Sequence, residues 1–409
     1  MDLVAPDRST RLALLTCGIC LCLGAALRLS FPDDIEYKAD ERFMFEAAQH
    51  VGRTEPWPTV GMPSGASLRN PPLSIWAFVV LARVVHADTP PELARVVAVL
   101  NLFALIAFAL FAWFRLESEW RAPWLFALGL LAVNPAAVQL ERKIWAQCLL
   151  PPLVAATLWA WSSRRRWAGA IGWGFVGALL GQIHMSGFFF APALLIWTWL
   201  FDPLRKGVKW AGWFAGSVLG AIPLLPWLSA IGRGESGGAS GFHPLEALFF
   251  RFYLYAFADP FGVLIRQSLG RESFAEFIRR PWVAVAFGGA VLALIVAAGL
   301  GIQWLWQQRR AMREKLRSEG SLLMGAVMLG YGVLLSASTL RIFRHYLIIA
   351  LPLPFVLASS VLLLRRWGRW ALLALIACEL TLSVSFLLFI YDRGGAPDGD
   401  YGVSYARQK

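Results

Sequence analysis

Charge is scarce in this 409-residue chain, with Asp, Glu, Lys and Arg making up 16% of it, where soluble proteins carry about 25%. Histidine and cysteine are scarcer still, at five each. Cys17, Cys20, Cys22, Cys148 and Cys378 all lie in or beside apolar runs. The "CGICLC" spacing falls inside a helix without a histidine, which points to small buried thiols rather than a metal cluster or a disulfide framework. No internal repeat, low-complexity tract or nucleic-acid-binding motif is present. The basic residues form no stripe interleaved with aromatics, so nucleic acid is excluded as a partner.

Hydrocarbon takes the place of charge. Hydrophobic residues are 58% of the chain and its mean hydropathy is +0.57. Stretches of about 20 apolar residues recur, the length that a bilayer core of roughly 30 Å requires. The fold class is therefore an all-α polytopic integral membrane protein, with residues 1–409 forming one transmembrane domain. Apolar runs predict about eleven spans, at 12–30, 93–114, 122–138, 145–161, 167–184, 186–201, 209–228, 281–306, 321–339, 345–363 and 370–390. A further run, Pro71–Val85, is short and carries Arg83; it is expected to lie in the interface or re-enter.

The net charge of +12 sits in short runs between those segments: Arg164-Arg165-Arg166, Arg205-Lys206, Arg309-Arg310 with Arg313, Lys315 and Arg317, and Arg365-Arg366 with Arg369. The positive-inside bias places them in the cytoplasm with Arg8 and Arg11, next to anionic headgroups. The N-terminus is then an uncleaved, cytoplasmic signal-anchor, the C-terminus lies outside, and a bacterial inner membrane is the expected setting.

That topology sorts the remaining polar groups onto the outer face. The first outer loop, 31–71, opens with five acids, Asp33, Asp34, Glu36, Asp40 and Glu41. Met44, Ala47, Ala48 and Val51 then fall at helical spacing, as in an amphipathic helix lying on the membrane. Asp33, Asp34 and Glu36 read as solvated turn residues. Asp40 and Glu41 stand where a lipid-tailed substrate would present its head, and crowding of acids tunes one toward general-base work near neutral pH. "QLERKIW" adds Glu141, Arg142 and Lys143, "GQIHMSG" adds His184, and the long loop 229–280 adds His243. "TLRIFRHY" brings Arg341, Arg344 and His345, and the guanidinium fork matches phosphate oxygens. The outer tail, 392–409, is polar, Gly-rich and aromatic; it reads either as a lid acting through Tyr401 and Tyr405 or as a frayed end. A base, a phosphate clamp and a greasy groove suggest transfer of a group from a polyprenyl phosphate. A lipid-linked-sugar flippase or a non-catalytic assembly partner are the alternatives.

"ADERFMFEAAQ", "RNPPLSIWAFVVLARVV", "PPELARVVAVLN" and the late "RHYLIIALPLP", in that order, resemble GT-C fold glycosyltransferases. The branch most similar holds protein O-mannosyltransferases and the aminoarabinose transferase of lipid A. The resemblance implies a membrane glycosyltransferase moving a sugar from a polyprenyl-phosphate donor to a glycan, lipid or protein acceptor by inverting displacement. Carried over, Asp40 is the base and Glu41 its partner. Arg344 and Arg341 hold the lipid phosphate, with Lys143 and Arg142 as weaker candidates. Where that branch places a second acid, this chain has Glu141 and then Gln147 rather than Asp. No cofactor is required; a divalent metal is an option, with Glu141 and His184 or His243 as ligands.

Overall fold

The computed structural model describes residues 7–63, 68–235, 250–308, 318–338 and 340–409. His243 lies outside the described residues. Among these residues six helices are long and apolar enough to cross a bilayer: Arg8–Leu29, Pro90–Arg115, Trp210–Gly232, Pro281–Gln307, Glu319–Ala337 and Gly368–Arg393. A seventh is added if Arg344–Ala350 and Leu353–Leu362, which meet at 79°, count as one broken span.

We label the first nine helices α1 (Arg8–Leu29), α2 (Ala39–His50), α3 (Leu73–Val85), α4 (Pro90–Arg115), α5 (Ser118–Val133), α6 (Pro135–Leu140), α7 (Leu150–Ser162), α8 (Trp167–Ile183) and α9 (Gly187–Phe201). The expected count of about eleven spans is thus not met by length alone. Prolines account for part of the difference. The run anticipated at 122–138 breaks at Asn134, which caps α6 ahead of Pro135. The run anticipated from 145 begins as a tight turn over Ala146–Leu149 before α7 starts ahead of Pro151. A helix of 13 residues such as α3 is only about 20 Å long, well short of the bilayer core. It packs on α2 instead, with Arg83 donating to the Val51 carbonyl and its guanidinium 5.7 Å from the Trp57 ring centroid.

The core is centred on α5, whose residues from Trp124 to Val133 are all almost completely buried. Around it pack α1, α4, Leu353–Leu362 and Gly368–Arg393. α1 comes closest because Gly24 has no side chain: a Cβ there would lie 2.5 Å from the Ala132 carbonyl oxygen. This contact carries an ion pair. Arg28, one turn further on, is buried and bonds Glu141 through Nε at 2.7 Å. It also donates to the carbonyls of Ala132 and Leu131, at 2.5 and 3.3 Å. At the other end of the bundle Arg164 joins Asp202 at 2.7 Å and Glu319 at 2.9 Å, which locks three connections together.

The Arg28–Glu141 pair is buried on both sides, so removing one partner strands a charge in a low-dielectric interior, at a cost of about 3–5 kcal/mol. Glu141→Ala is expected to lower the thermal unfolding temperature in detergent markedly. The double change Arg28→Met with Glu141→Leu is expected to recover most of that loss, because no charge is then left unpaired. Unfolding followed by tryptophan fluorescence checks both.

Candidate active site

Every group that the sequence sorted outward, and that falls among the described residues, gathers at one end of the bundle. The organising element is α2. Its first turn carries Asp40 and Glu41, where the helix dipole favours negative charge. Glu41 turns back to accept the Lys38 backbone N–H at 3.0 Å, closing the helix start. On the inner face of α2, Met44 and Ala48 are buried and Ala47 is partly buried.

The structure corrects the reading of Asp34 and Glu36 as solvated. Both are buried, and Glu36 is only 2% exposed. Glu36 accepts from Gln139 at 3.0 Å and pairs with Lys38 at 2.6 Å and with Lys143. Asp33 remains in solvent, paired with Lys409 at 2.8 Å. Lys143, itself buried, also stands 4.0 Å from Glu41 and 4.3 Å from the Trp145 ring centroid. Burial works against its charge, but Glu36 and Glu41 outweigh that cost and hold its pKa above the ordinary lysine value. Glu41 is pushed up to about 6, mainly by burial, with Lys143 pulling it down and Glu36 pushing it further up.

Asp40 stands apart from this network. It is half-buried, and among the described residues it has no cationic partner. Its Oδ2 accepts from the Trp145 indole N–H at 3.1 Å, which leaves Oδ1 open. Trp145 in turn meets the His345 ring at 5.0 Å, and His345 meets His184 at 5.9 Å. His184 is fixed by Ser186, 2.8 Å from its Nδ1. The site is thus one half-open carboxylate held by an indole, backed by a layer of aromatic and imidazole rings.

The other candidates are placed differently. Glu141 is taken by Arg28. Arg142 donates to the Ser30 and Phe31 carbonyls, both at 2.7 Å, and so braces the loop rather than facing outward. Arg344 pairs with Asp259, whose Oδ1 accepts from Nε at 2.8 Å and lies 2.6 Å from Nη2, and its Nη1 donates to the Leu264 carbonyl and to Ser268, both at 3.3 Å; Nη2 is buried without a hydrogen bond of its own. The void beside it is about 10 Å³, room for about one water and not for a phosphate. Arg341 is exposed, its guanidinium 5.3 Å from the Phe343 ring centroid. Among the described residues no three His, Cys, Asp or Glu side chains converge as metal ligands.

The tail is a folded strap. Tyr401, 3% exposed, donates to the Asp34 carbonyl at 2.8 Å. The amides of Tyr405 and Ala406 bond the Ile35 and Asp33 carbonyls at 3.0 and 2.9 Å. On its far side Tyr401 N–H reaches Ser268 at 2.9 Å, and Asp398 accepts from the Glu272 amide at 2.7 Å. The strap therefore ties the acidic loop to the segment that holds Asp259.

Three residues escaped the sequence reading: Trp145, Asp259 and Glu379. Glu379 lies in the apolar helix Gly368–Arg393, fully buried, with Asn134 Nδ2 at 3.3 Å. A lone acid in "IACELTL" is a signal in itself, since ionisable residues inside spans are rare. Nothing in the pattern marked the other two.

No family model and no curated protein matches the chain. Solved structures similar to it include the archaeal oligosaccharyltransferase AglB from Archaeoglobus fulgidus, in complex with an inhibitory peptide and a dolichol-phosphate. That likeness has 14% identity and a TM-score of 0.47, covering 94% of this chain and 56% of that one. The Archaeoglobus fulgidus oligosaccharyltransferase in complex with zinc and sulfate is similar at 15% identity and a TM-score of 0.45, covering 90% of this chain and 53% of that one. The chain spans about half the length of these proteins.

The raised pKa of Glu41 has a definite sign. The folded state holds its proton more tightly than the unfolded chain, so stability attributable to this group is lost as pH rises from 4.5 to about 6. The full difference is about 2 kcal/mol. Glu41→Gln keeps an acceptor for the Lys38 amide and removes the titration. Its unfolding temperature, measured against wild type at pH 4.5 and pH 7, is expected to be relatively higher at pH 7.

Proposed function

We propose that the protein is a membrane glycosyltransferase that moves a sugar from a polyprenyl-phosphate donor to an acceptor on the extracytoplasmic face. The observation that carries this reading is Asp40: a carboxylate with one oxygen fixed by Trp145 and the other open, at the start of a surface helix. The donor's tail lies in lipid, and its phosphate meets the basic end of the Thr339–Tyr346 segment. An acceptor hydroxyl attacks the anomeric carbon, and Asp40 takes its proton as the C–O bond forms. The bond between that carbon and the phosphate oxygen breaks on the opposite side, inverting the configuration, and the electron pair leaves with the polyprenyl phosphate.

Arg341 is the better placed of the two arginines to receive that phosphate, being exposed and without a carboxylate partner among the described residues. Arg344 would have to surrender Asp259 first. Glu41 and Glu36 hold Lys143 beneath the Trp145 ring, which fixes a positive charge near the base without neutralising it directly. His345 and His184 back the indole. The cytoplasmic assignment of the opposite end rests on its arginines, among them Arg115, Arg165 and Arg166.

One observation favours a second reading, a lipid-linked-sugar flippase or transporter. Glu379 is a buried acid inside a span, the kind of group transporters use along a path. The two readings separate on paired variants. In nanodiscs supplied with polyprenyl-phosphate sugars, Asp40→Asn is expected to retain donor binding and lose turnover by about 10²–10⁴-fold. Glu379→Gln is expected to leave turnover within a few-fold of wild type. Movement of labelled donor across vesicles that depends on Glu379 and not on Asp40 would replace the transferase reading with the transporter one.

A further inference from the structure

At the end of the bundle opposite Asp40, the α7–α8 connection forms a cavity of about 320 Å³ lined by Arg115, Ser162, Ser163, Arg165 and Arg166. Three arginines and two serines line it, and no acidic residue does. Of the neighbouring carboxylates, Asp202 and Glu319 are taken by Arg164, buried beneath, and Glu117 accepts from the Glu319 amide at 2.8 Å. Among the described residues none of the three lining arginines has a carboxylate partner. All three arginines are exposed, so an anion entering the cavity would meet their charge without having to displace a carboxylate.

Two of the arginines are braced. The Arg115 guanidinium lies 5.0 Å from the Trp159 ring centroid. Gly207 lets the chain run beside Arg165, where a Cβ would come within 3.4 Å of the arginine Cδ. Ser162 spends its hydroxyl proton on the Trp159 carbonyl at 2.8 Å and so offers only an acceptor. The Ser163 hydroxyl makes no such bond among the described residues and offers a donor. The end of α7 and the start of α8 meet at this point, so their dipoles offset each other and the attraction comes from the side chains. The volume is at the small end for ligand sites, enough for a headgroup and too small for an acyl chain. Exposed Trp167 and Trp199 belong to this same end of the bundle, and tryptophan at the end of an apolar helix marks the headgroup level.

We propose that this cavity is a binding site for a phosphoryl anion, filled by the phosphate of an anionic lipid or by a soluble phosphate. The site is independent of the chemistry at the Asp40 end. Its guanidinium forks and the Ser163 hydroxyl would share the phosphate oxygens, as charge-assisted hydrogen bonds do elsewhere.

The test uses the full chain in neutral detergent. Phosphatidylglycerol in mixed micelles and, separately, pyrophosphate are titrated against the thermal unfolding temperature, and retained lipid is counted by native mass spectrometry. Wild type is expected to be stabilised saturably by at least one of them. Arg165→Gln with Arg166→Gln is expected to weaken that binding by about tenfold or more, at two or more charged hydrogen bonds lost. Arg115→Gln provides a second, single-site variant, so a poorly folding double variant does not end the test. Lys206→Gln, a basic neighbour outside the lining, is expected to bind as wild type does. Saturation by lipid alone identifies a headgroup as the source, and competition between lipid and pyrophosphate shows that the phosphate is what both share. If the lining variants bind as well as wild type, or if Lys206→Gln weakens binding equally, the attraction is diffuse and the proposal is overturned.

Discussion

Lys143 is the residue on which the candidate site depends. It is buried, and it is charged only because Glu36 and Glu41 surround it. A lone ammonium there would be expelled or neutralised. By holding both acids it fixes the entry to α2, and through the indole above it sets where Asp40 points. The same rule governs the rest of the molecule. A chain with so few charges cannot leave them unpaired in an apolar interior, so each buried ion pair becomes a tie between distant segments. Arg28 with Glu141 joins α1 to the connection after α6, Arg164 with Glu319 joins two opposite-end loops, and Arg344 with Asp259 joins two late segments.

These ties differ in what they leave available. Arg28 and Arg164 spend their remaining donors on carbonyls or on further carboxylates, and Arg344 spends Nη1 on the Leu264 carbonyl. Pairs of that kind fix geometry; they do not meet substrate. Asp40 belongs to none of these pairs, because its partner is an indole N–H rather than a cation. A neutral donor orients a carboxylate without quenching it, as the base role proposed for Asp40 would require.

The tail strap adds a mechanical consequence. It is stitched on one side to the Asp33–Tyr37 segment and on the other to residues 267–273. Any opening at the acidic mouth therefore involves the segment that holds Arg344, so the base end and the basic end are linked through the last sixteen residues. Tyr401, buried between them, is the pin of that link.

The sequence by itself determined the class of molecule, the amphipathic face of α2, and the sorting of polar groups to one end. Those follow from local periodicity and from charge bias, which are properties of short stretches. It also singled out Asp40, because a carboxylate opening a surface helix is a local pattern. What it could not determine was which charges cancel. Glu36 and Asp33 look alike in the chain, yet one is buried against a lysine 107 positions away and the other pairs with the last residue. Arg341 and Arg344 look like equivalent phosphate ligands, and Asp259 takes one of them. Helix lengths were blurred for a similar reason: proline breaks and tight turns shorten apolar runs that hydropathy reads as continuous. Pairing across the bundle depends on which segments pack together, and only the tertiary structure decides that.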